Sequence, residues 1–428
     1  MRLIWSMRSK RRWRNSLAAG LAALSLAQAA AAQDQPVAKL GDQTLEIYGA
    51  EGSGTLPAFS SRPLLARMPK VTRLLVMVHG AARDADQALA LGRAVAGAEA
   101  EQTLVVAPQF LTTADVKRWV LPANRLRWSG TAWADGLPAT GRAPVSPFSA
   151  LDSILRNLAD PGLLPDLKTI AIAGEGKGAD LAQLYAAVTT HLDGLEKRGI
   201  ALRFVLAEPE HYLYLDQARP VPVDAAACPG FNRWPYGLDG APAYLDEIGP
   251  ARIFTQYRAR DVTYLLGEAG QAEPGDCAVA AQGPDSTARG RFYASYLAKL
   301  AAGTKLHRLA EIPKSDAAHG LLASACGTAA VLGRPDCPAL TGAPDLPAFP
   351  DPTAKPEPAD APKADTAKTE APKAPDAVPP AQHRQRMVRR RQHRLRRRLL
   401  PRRCRRPIRS RRMALPIRCM RRTRSARC

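Results

Sequence analysis

The stretch "KTIAIAGEGKGAD", residues 168–180, decides how this chain is read. The β-branched residues Thr169, Ile170 and Ile172 make an apolar strand, and Gly174-Glu175-Gly176-Lys177-Gly178 follows as a tight turn. The segment "ADLAQLYAAV" then places Leu181, Leu184, Tyr185 and Val188 on one helical face. A strand, a sharp elbow and a helix in direct succession build three kinds of site: a phosphate loop, a dinucleotide fingerprint, or the nucleophile elbow G-x-S-x-G. The phosphate loop G-x-x-x-x-G-K-[ST] fails at both ends, with Ala171 for its first glycine and Gly178 where a hydroxyl must hold a cation. The dinucleotide pattern is met literally by Gly174, Gly176 and Ala179. Its acidic partner, Glu208, lies 29 residues beyond Ala179, farther than the usual spacing of about 20. The elbow pattern has the right glycines at 174 and 178, with Gly176 at its centre.

Outward from this point, strand-like and helix-like segments alternate. Apolar, β-rich runs occur at "TRLLVMV" (72–78), "TLVVAPQ" (103–109), "KTIAIAG" (168–174), "LRFVLAE" (202–208), "DVTYLLG" (261–267) and "HRLAEIP" (307–313). Between them lie the helical stretches "DADQALALGRAVAGAEA", "SPFSALDSILRNLAD" with Ser146 and Pro147 as start signals, "ADLAQLYAAVTTHLDGLEKRG" and "STARGRFYASYLAKLAAG". Strands that are apolar almost throughout, most of them separated by helices, predict an α/β fold with a mostly parallel, doubly wound sheet covered on both faces. In such a sheet the ligand site lies beyond the C-terminal ends of the strands.

The segments that follow those strand ends are "VMVHGAARDADQAL", the elbow, "CPGFNRWPYGL" (228–238), "RDVTYLLGEAG" (260–270) and "EIPKSDAAHGLLASACG" (311–327). With "LRWSGTAWADG" (126–136), they resemble the exported bacterial α/β-hydrolases of serine-esterase type over roughly residues 65–340. The resemblance implies the α/β-hydrolase fold, an ester-like small-molecule ligand and no cofactor or metal. Carried over by residue, it implies an oxyanion loop at His79, Gly80 and Ala81, completed by the amide of Lys177, and a base at His319. The nucleophile position is Gly176 and the acid position is Gly270, so two of three triad members are replaced by glycine. Acyl transfer needs a hydroxyl or thiol that an imidazole can deprotonate, and glycine has neither. The expectation is therefore a pseudo-hydrolase that keeps a ligand pocket. The alternatives are an active ester hydrolase using other residues and a dinucleotide-binding protein.

Stand-ins exist for both lost groups. Lys177 neighbours the vertex but should point away from the cleft, and Glu268, Glu273, Asp276 and Asp316 flank the acid and base positions. Glu208 and Glu210 follow a strand that faces the presumed cleft, and their charge opposes a developing oxyanion. His79 reads equally as a structural histidine. Trp128, Trp133, Phe231, Trp234 and Tyr236 read as loop anchors before pocket lining.

The ends of the chain differ from its middle. "MRLIWSMRSKRRWRNSLAAGLAALSLAQAAAAQDQP" has a basic start, an apolar stretch from Leu17 to Ala32 and small residues at a cleavage point after Ala32, which predicts a signal peptide over 1–32. The apolar stretch is short and alanine-rich for a membrane span, and none is expected after cleavage. Export to the periplasm or medium permits disulfides. Cys228, Cys277, Cys326 and Cys337 allow three pairings, of which Cys228–Cys277 with Cys326–Cys337 is preferred.

A folded domain over 33–343 would precede a Pro/Ala/Lys/Asp-rich linker over 344–382, whose composition cannot bury a core. Of the formal charge of +22, residues 383–428 supply 21 through arginine alone, and six more basic residues lie among the first 14. The remainder is mildly acidic, which argues against nucleic acid as a partner of the folded domain. The Arg-rich tail reads either as an arm for polyanions or as linker codons translated one base out of register.

Overall fold

The computed structural model describes residues 35–246, 248–269, 276–300, 307–317, 320–337 and 347–349. The signal peptide, the linker beyond residue 349, the Arg-rich tail, Gly270, Glu273 and His319 lie outside the described residues.

The strands are β1 (Gln43–Gly49), β2 (Gly52–Ser60), β3 (Arg73–Val78), β4 (Thr103–Pro108), β5 (Thr169–Glu175), β6 (Ala201–Ala207), β7 (Asp261–Leu266) and β8 (His307–Glu311). They form one sheet in the order β1-β2-β4-β3-β5-β6-β7-β8. Strands β3 to β8 run parallel, and each matches one of the apolar runs in the sequence. Strands β1 and β2 form an antiparallel hairpin that joins β4 at one edge. This order, with its antiparallel second strand and an elbow after β5, is the α/β-hydrolase fold.

Among the described residues the helices are α1 (Ala85–Ala96), α2 (Thr113–Arg118), α3 (Pro147–Leu158), α4 (Lys177–Val188), α5 (Asp193–Lys197), α6 (Pro250–Arg258), α7 (Cys277–Ala280), α8 (Ser286–Leu300) and α9 (Ala325–Leu332). Helix α3 starts as its sequence signals require: Pro147 occupies the first turn and the Ser146 hydroxyl accepts from the Phe148 amide at 3.1 Å. The long segment 179–199 divides into α4 and α5 at Thr189, whose extended backbone (ψ 135°) ends the first helix.

Double winding explains why the strands carry so little polarity. Leu74, Val76 and Val78 of β3, Ile170 and Ile172 of β5, and Phe204 and Leu206 of β6 face one core, under α3, α4, α6 and α8. The alternate residues Leu75, Met77, Ala171, Ala173, Val205 and Ala207 face a second, smaller core under α1 and α9. Period-2 alternation thus separates two buried faces, not a buried face from a wet one. The preferred pairing of cysteines is the one formed. Cys228 in the loop after β6 joins Cys277 at the start of α7, and Cys326 in α9 joins Cys337 just beyond it. Among the described residues, no helix is long and apolar enough to cross a membrane.

Candidate functional site

Gly176 is the single residue between β5 and α4, with φ 53° and ψ −120°. A positive φ costs an L-residue strain that glycine avoids. Its amide donates to Ala207 O at 3.0 Å, and its carbonyl accepts from the Asp180 amide at 3.0 Å, so the vertex is pinned to β6 and to the first turn of α4. The flanking glycines serve a different need. A Cβ at Gly174 would overlap the Gly178 carbonyl, and one at Gly178 would overlap the Val78 carbonyl at the end of β3. Among the described residues, an added Cβ at Gly176 meets nothing nearer than Glu210 Oε1, at 3.9 Å. The vertex is sterically open where its neighbours are closed.

The open side faces a cleft of about 660 Å³ at the C-terminal ends of β5, β6 and β7. Its charged lining is Glu175, Glu208, Glu210, Glu268, Arg289 and Lys314, with Ser286 also on the wall. Glu208 has φ 43°, an unusual conformation for a non-glycine residue, and its carboxylate accepts from the Gly267 amide at 3.0 Å. Glu175 accepts from the Leu322 amide at 2.9 Å. Burial raises the pKa of Glu175 above the ordinary glutamate value, and Glu208 pushes the same way against that hydrogen bond.

Beside the vertex lies a charge network that the motifs did not announce. Asp180, fully buried, accepts from the Glu210 amide at 2.7 Å and from the Lys177 ammonium at 3.0 Å. The same ammonium is 3.0 Å from Glu210 Oε2. Burial alone would lower the pKa of Lys177, but Asp180, Glu210 and Asp135 outweigh it and hold the amine charged, above the usual lysine value. His211, also buried, places Nδ1 3.3 Å from Asp180 Oδ2. Burial lowers the His211 pKa against the pull of Asp180. Its Nε2 is 3.9 Å from Asp135 Oδ1, too far for a hydrogen bond, and burial pushes the Asp135 carboxyl up to about 6. Sequence reading reached Lys177 and Glu210 but missed Asp135, Asp180 and His211. The available signals were Asp180, three residues after Lys177 on the first helical turn, and His211, directly after Glu210.

His79 is a fastener. Its Nε2 accepts from the Phe110 amide at 2.9 Å, so the proton sits on Nδ1, which donates to Gly80 O at 2.9 Å. The ring packs edge-on against Trp133 and Phe110, and burial lowers its pKa to about 4. His79, Gly80 and Ala81 together line a second cavity of about 600 Å³ that also reaches Glu175. Among the described residues, the Ala81 and Lys177 amides have no backbone acceptor.

The other sequence candidates are dispersed. Glu268 is on the cleft wall and accepts from the Lys314 amide at 3.0 Å. Asp276 caps α7 through the Val279 amide and accepts from the Tyr236 hydroxyl, and Asp316 pairs with Ser315 on an exposed loop. Trp128 and Trp133 are fully buried, and neither Trp234, Phe231 nor Tyr236 lines the cleft, so these rings anchor loops. Among the described residues no group of three or more His, Cys, Asp or Glu could hold a metal ion.

No protein-family model matches the sequence, and a search among curated proteins finds no match. Solved structures do match. The poly(aspartic acid) hydrolase-1 of Sphingomonas sp. KT-1 is 20% identical over 64% of this chain and 92% of its own, with a TM-score of 0.43. LpqC, a poly(3-hydroxybutyrate) depolymerase of Bordetella parapertussis, is 18% identical over 71% and 94%, with a TM-score of 0.45. The siderophore hydrolase EstB of Aspergillus nidulans is 12% identical over 69% and 94%, with a TM-score of 0.35. These are distant likenesses, and the strand order identifies the fold without them.

Proposed function

We propose that this chain is an exported α/β-hydrolase-fold protein that has lost its nucleophile, a pseudo-hydrolase that keeps a ligand cleft for a small ester-like molecule. The observation that carries the proposal is Gly176 at the vertex of the elbow, in a nucleophile's backbone conformation, with empty space where a side chain would project. Among the described residues nothing adjacent to the vertex replaces the missing oxygen. Lys177 is held as an ammonium by Asp180 and Glu210, and a protonated amine is not a nucleophile. The cleft glutamates oppose the negative charge that ester hydrolysis develops on the carbonyl oxygen. They also oppose the pyrophosphate of a dinucleotide at the same turn.

The base and acid positions, His319 and Gly270, belong to the proposal. It is supported by their chain neighbours, since Gly320 and Ala269 both line the cleft. Export rests on the N-terminal signal pattern, and the two disulfides agree with it.

The test compares turnover of short-chain aryl esters by the purified chain, by Gly176→Ser and by Gly176→Ser combined with Gly270→Asp. The expected result is an inert parent and a gain of activity in the double variant. A parent that is already active, at a rate that Gly176→Ser leaves unchanged and Ser286→Ala abolishes, would place the chemistry elsewhere in the cleft and overturn the reading.

A further inference from the structure

A third cavity, of about 610 Å³, shares no lining residue with the elbow cleft among the described residues. It lies where the β1–β2 turn, α3, the segment after α4 and the start of α6 meet. At its base is Asp152, whose side chain is 3% exposed. Asp152 Oδ1 accepts from the Tyr185 hydroxyl at 2.8 Å and the Thr189 hydroxyl at 3.0 Å. Its Oδ2 accepts from the Tyr244 hydroxyl at 2.7 Å and lies 3.1 Å from His191 Nδ1.

Three hydroxyls already satisfy most of this buried carboxylate, so His191 is not needed to rescue it. The ring is itself half-exposed, and the bond to Asp152 fixes which way it faces. A histidine oriented by a buried carboxylate through Nδ1 presents Nε2 outward, and the carboxylate favours the protonated ring. His191 Nε2 has no protein partner among the described residues. Arg156 and Arg252 line the same cavity, and neither meets a carboxylate among the described residues. A smaller adjoining cavity of about 280 Å³ shares Asp152, Arg156 and His191 and adds Arg198.

We propose that this cavity is a second binding site, for a small ligand bearing a carboxylate or phosphate, held by Arg156, Arg252 and the Nε2 face of His191. Planar guanidinium groups match such oxyanions with paired hydrogen bonds, and a protonated imidazole of fixed orientation adds a third donor. Tyr48, 55% exposed at the cavity, offers a ring for the rest of the ligand. Two acidic residues limit the choice. Glu51, which accepts from the Ser149 hydroxyl, and Asp246 belong to the same lining and disfavour a polyanion, so a single oxyanion group is the fit.

The charged groups that line the two cavities bordered by His191 are Asp152 and Arg156 on α3, Arg198 beyond α5, and Glu51, Asp246 and Arg252. Asp152 raises the His191 pKa through its hydrogen bond, and burial and Arg156 act against it.

The test follows the His191 ring by NMR in the purified chain, with the signals assigned from His191→Gln. Inorganic phosphate and acetate are titrated separately against sodium chloride of equal ionic strength. The expected result is a saturable shift of the His191 signals and a further rise in its pKa with at least one of the two ions. Which ion acts distinguishes a phosphate ligand from a carboxylate. Arg156→Gln with Arg252→Gln should weaken that response tenfold or more, with the unfolding midpoint and the buried His211 signals unchanged. Signals that neither ion moves beyond the chloride control, or that move equally in the arginine double variant, would overturn the proposal.

Discussion

The elbow makes a quantitative prediction, because its glycines are required for different reasons. In Gly176→Ala the new Cβ enters open space, so the cost is the backbone conformation alone. Strain at such a dihedral is about 1–3 kcal/mol, and the stiffer unfolded chain returns about 0.4–1 of it, leaving a net loss of about 1–2 kcal/mol. In Gly178→Ala the Cβ runs into the Val78 and His79 carbonyls, which are backbone and cannot rotate aside. Helix α4 would have to lift from the end of β3, and overpacking of this kind costs about 3 kcal/mol or more. The assay is urea unfolding followed by tryptophan fluorescence, with Trp128 and Trp133 as buried reporters. With a slope of about 3 kcal/mol/M, Gly176→Ala should lower the midpoint by roughly half a molar, and Gly178→Ala by twice that or to the point of not folding. Equal losses in the two variants, or a Gly178→Ala protein as stable as the parent, would refute the steric account of the elbow.

Two further outcomes are expected. His79 has a folded pKa of about 4 against an ordinary 6.5, so it contributes stability that is complete above pH 6.5 and lost as the pH falls toward 4. That loss amounts to roughly 3 kcal/mol, and His79→Asn should flatten this part of the pH profile of the urea midpoint. Cys228–Cys277 closes a separation of 49 residues and Cys326–Cys337 one of 11. Paired Cys→Ser substitutions should therefore cost about 4 and about 3 kcal/mol, in that order, by chemical denaturation under non-reducing conditions.

Much of the fold was legible because its signals are local. Six parallel strands announce themselves as apolar runs, most of them separated by helices, since burial on both faces leaves no polar alternation to dilute them. The hairpin β1–β2 was not read from the sequence. Pro57 makes "GSGTLPAFS" a poor strand, yet it sits opposite Thr44 of β1, and on the other side, where the ladder with β4 ends at Ala58, it needs only its carbonyl, which accepts from the Gln109 amide. The division of 179–199 into two helices was equally hidden. It depends on Thr189, whose hydroxyl is bonded to Asp152 on another helix.

The elbow was the most informative stretch, and its limits show where sequence reasoning stops. Gly174 and Gly178 could be recognised as elbow glycines by spacing. The different role of Gly176 followed only once the paths of β3, β5 and α4 were known. For His79 the sequence leaves a structural role and a place in the oxyanion loop equally open, and the partners on its two nitrogens, the Phe110 amide and the Gly80 carbonyl, are visible only in the fold. The partners of Lys177 and the His191–Asp152 pair come from segments 33 and 39 residues apart or less, yet no periodicity links them.

By itself, then, the sequence determined the parallel sheet, the elbow after β5 and the absence of a nucleophilic side chain at its centre, because chain direction, hydrophobic period and residue identity are properties of neighbours along the chain. The tertiary structure alone decided which charges meet, which histidine is a fastener and where cavities open, because a buried charge takes its protonation state and its partners from whatever the fold packs around it.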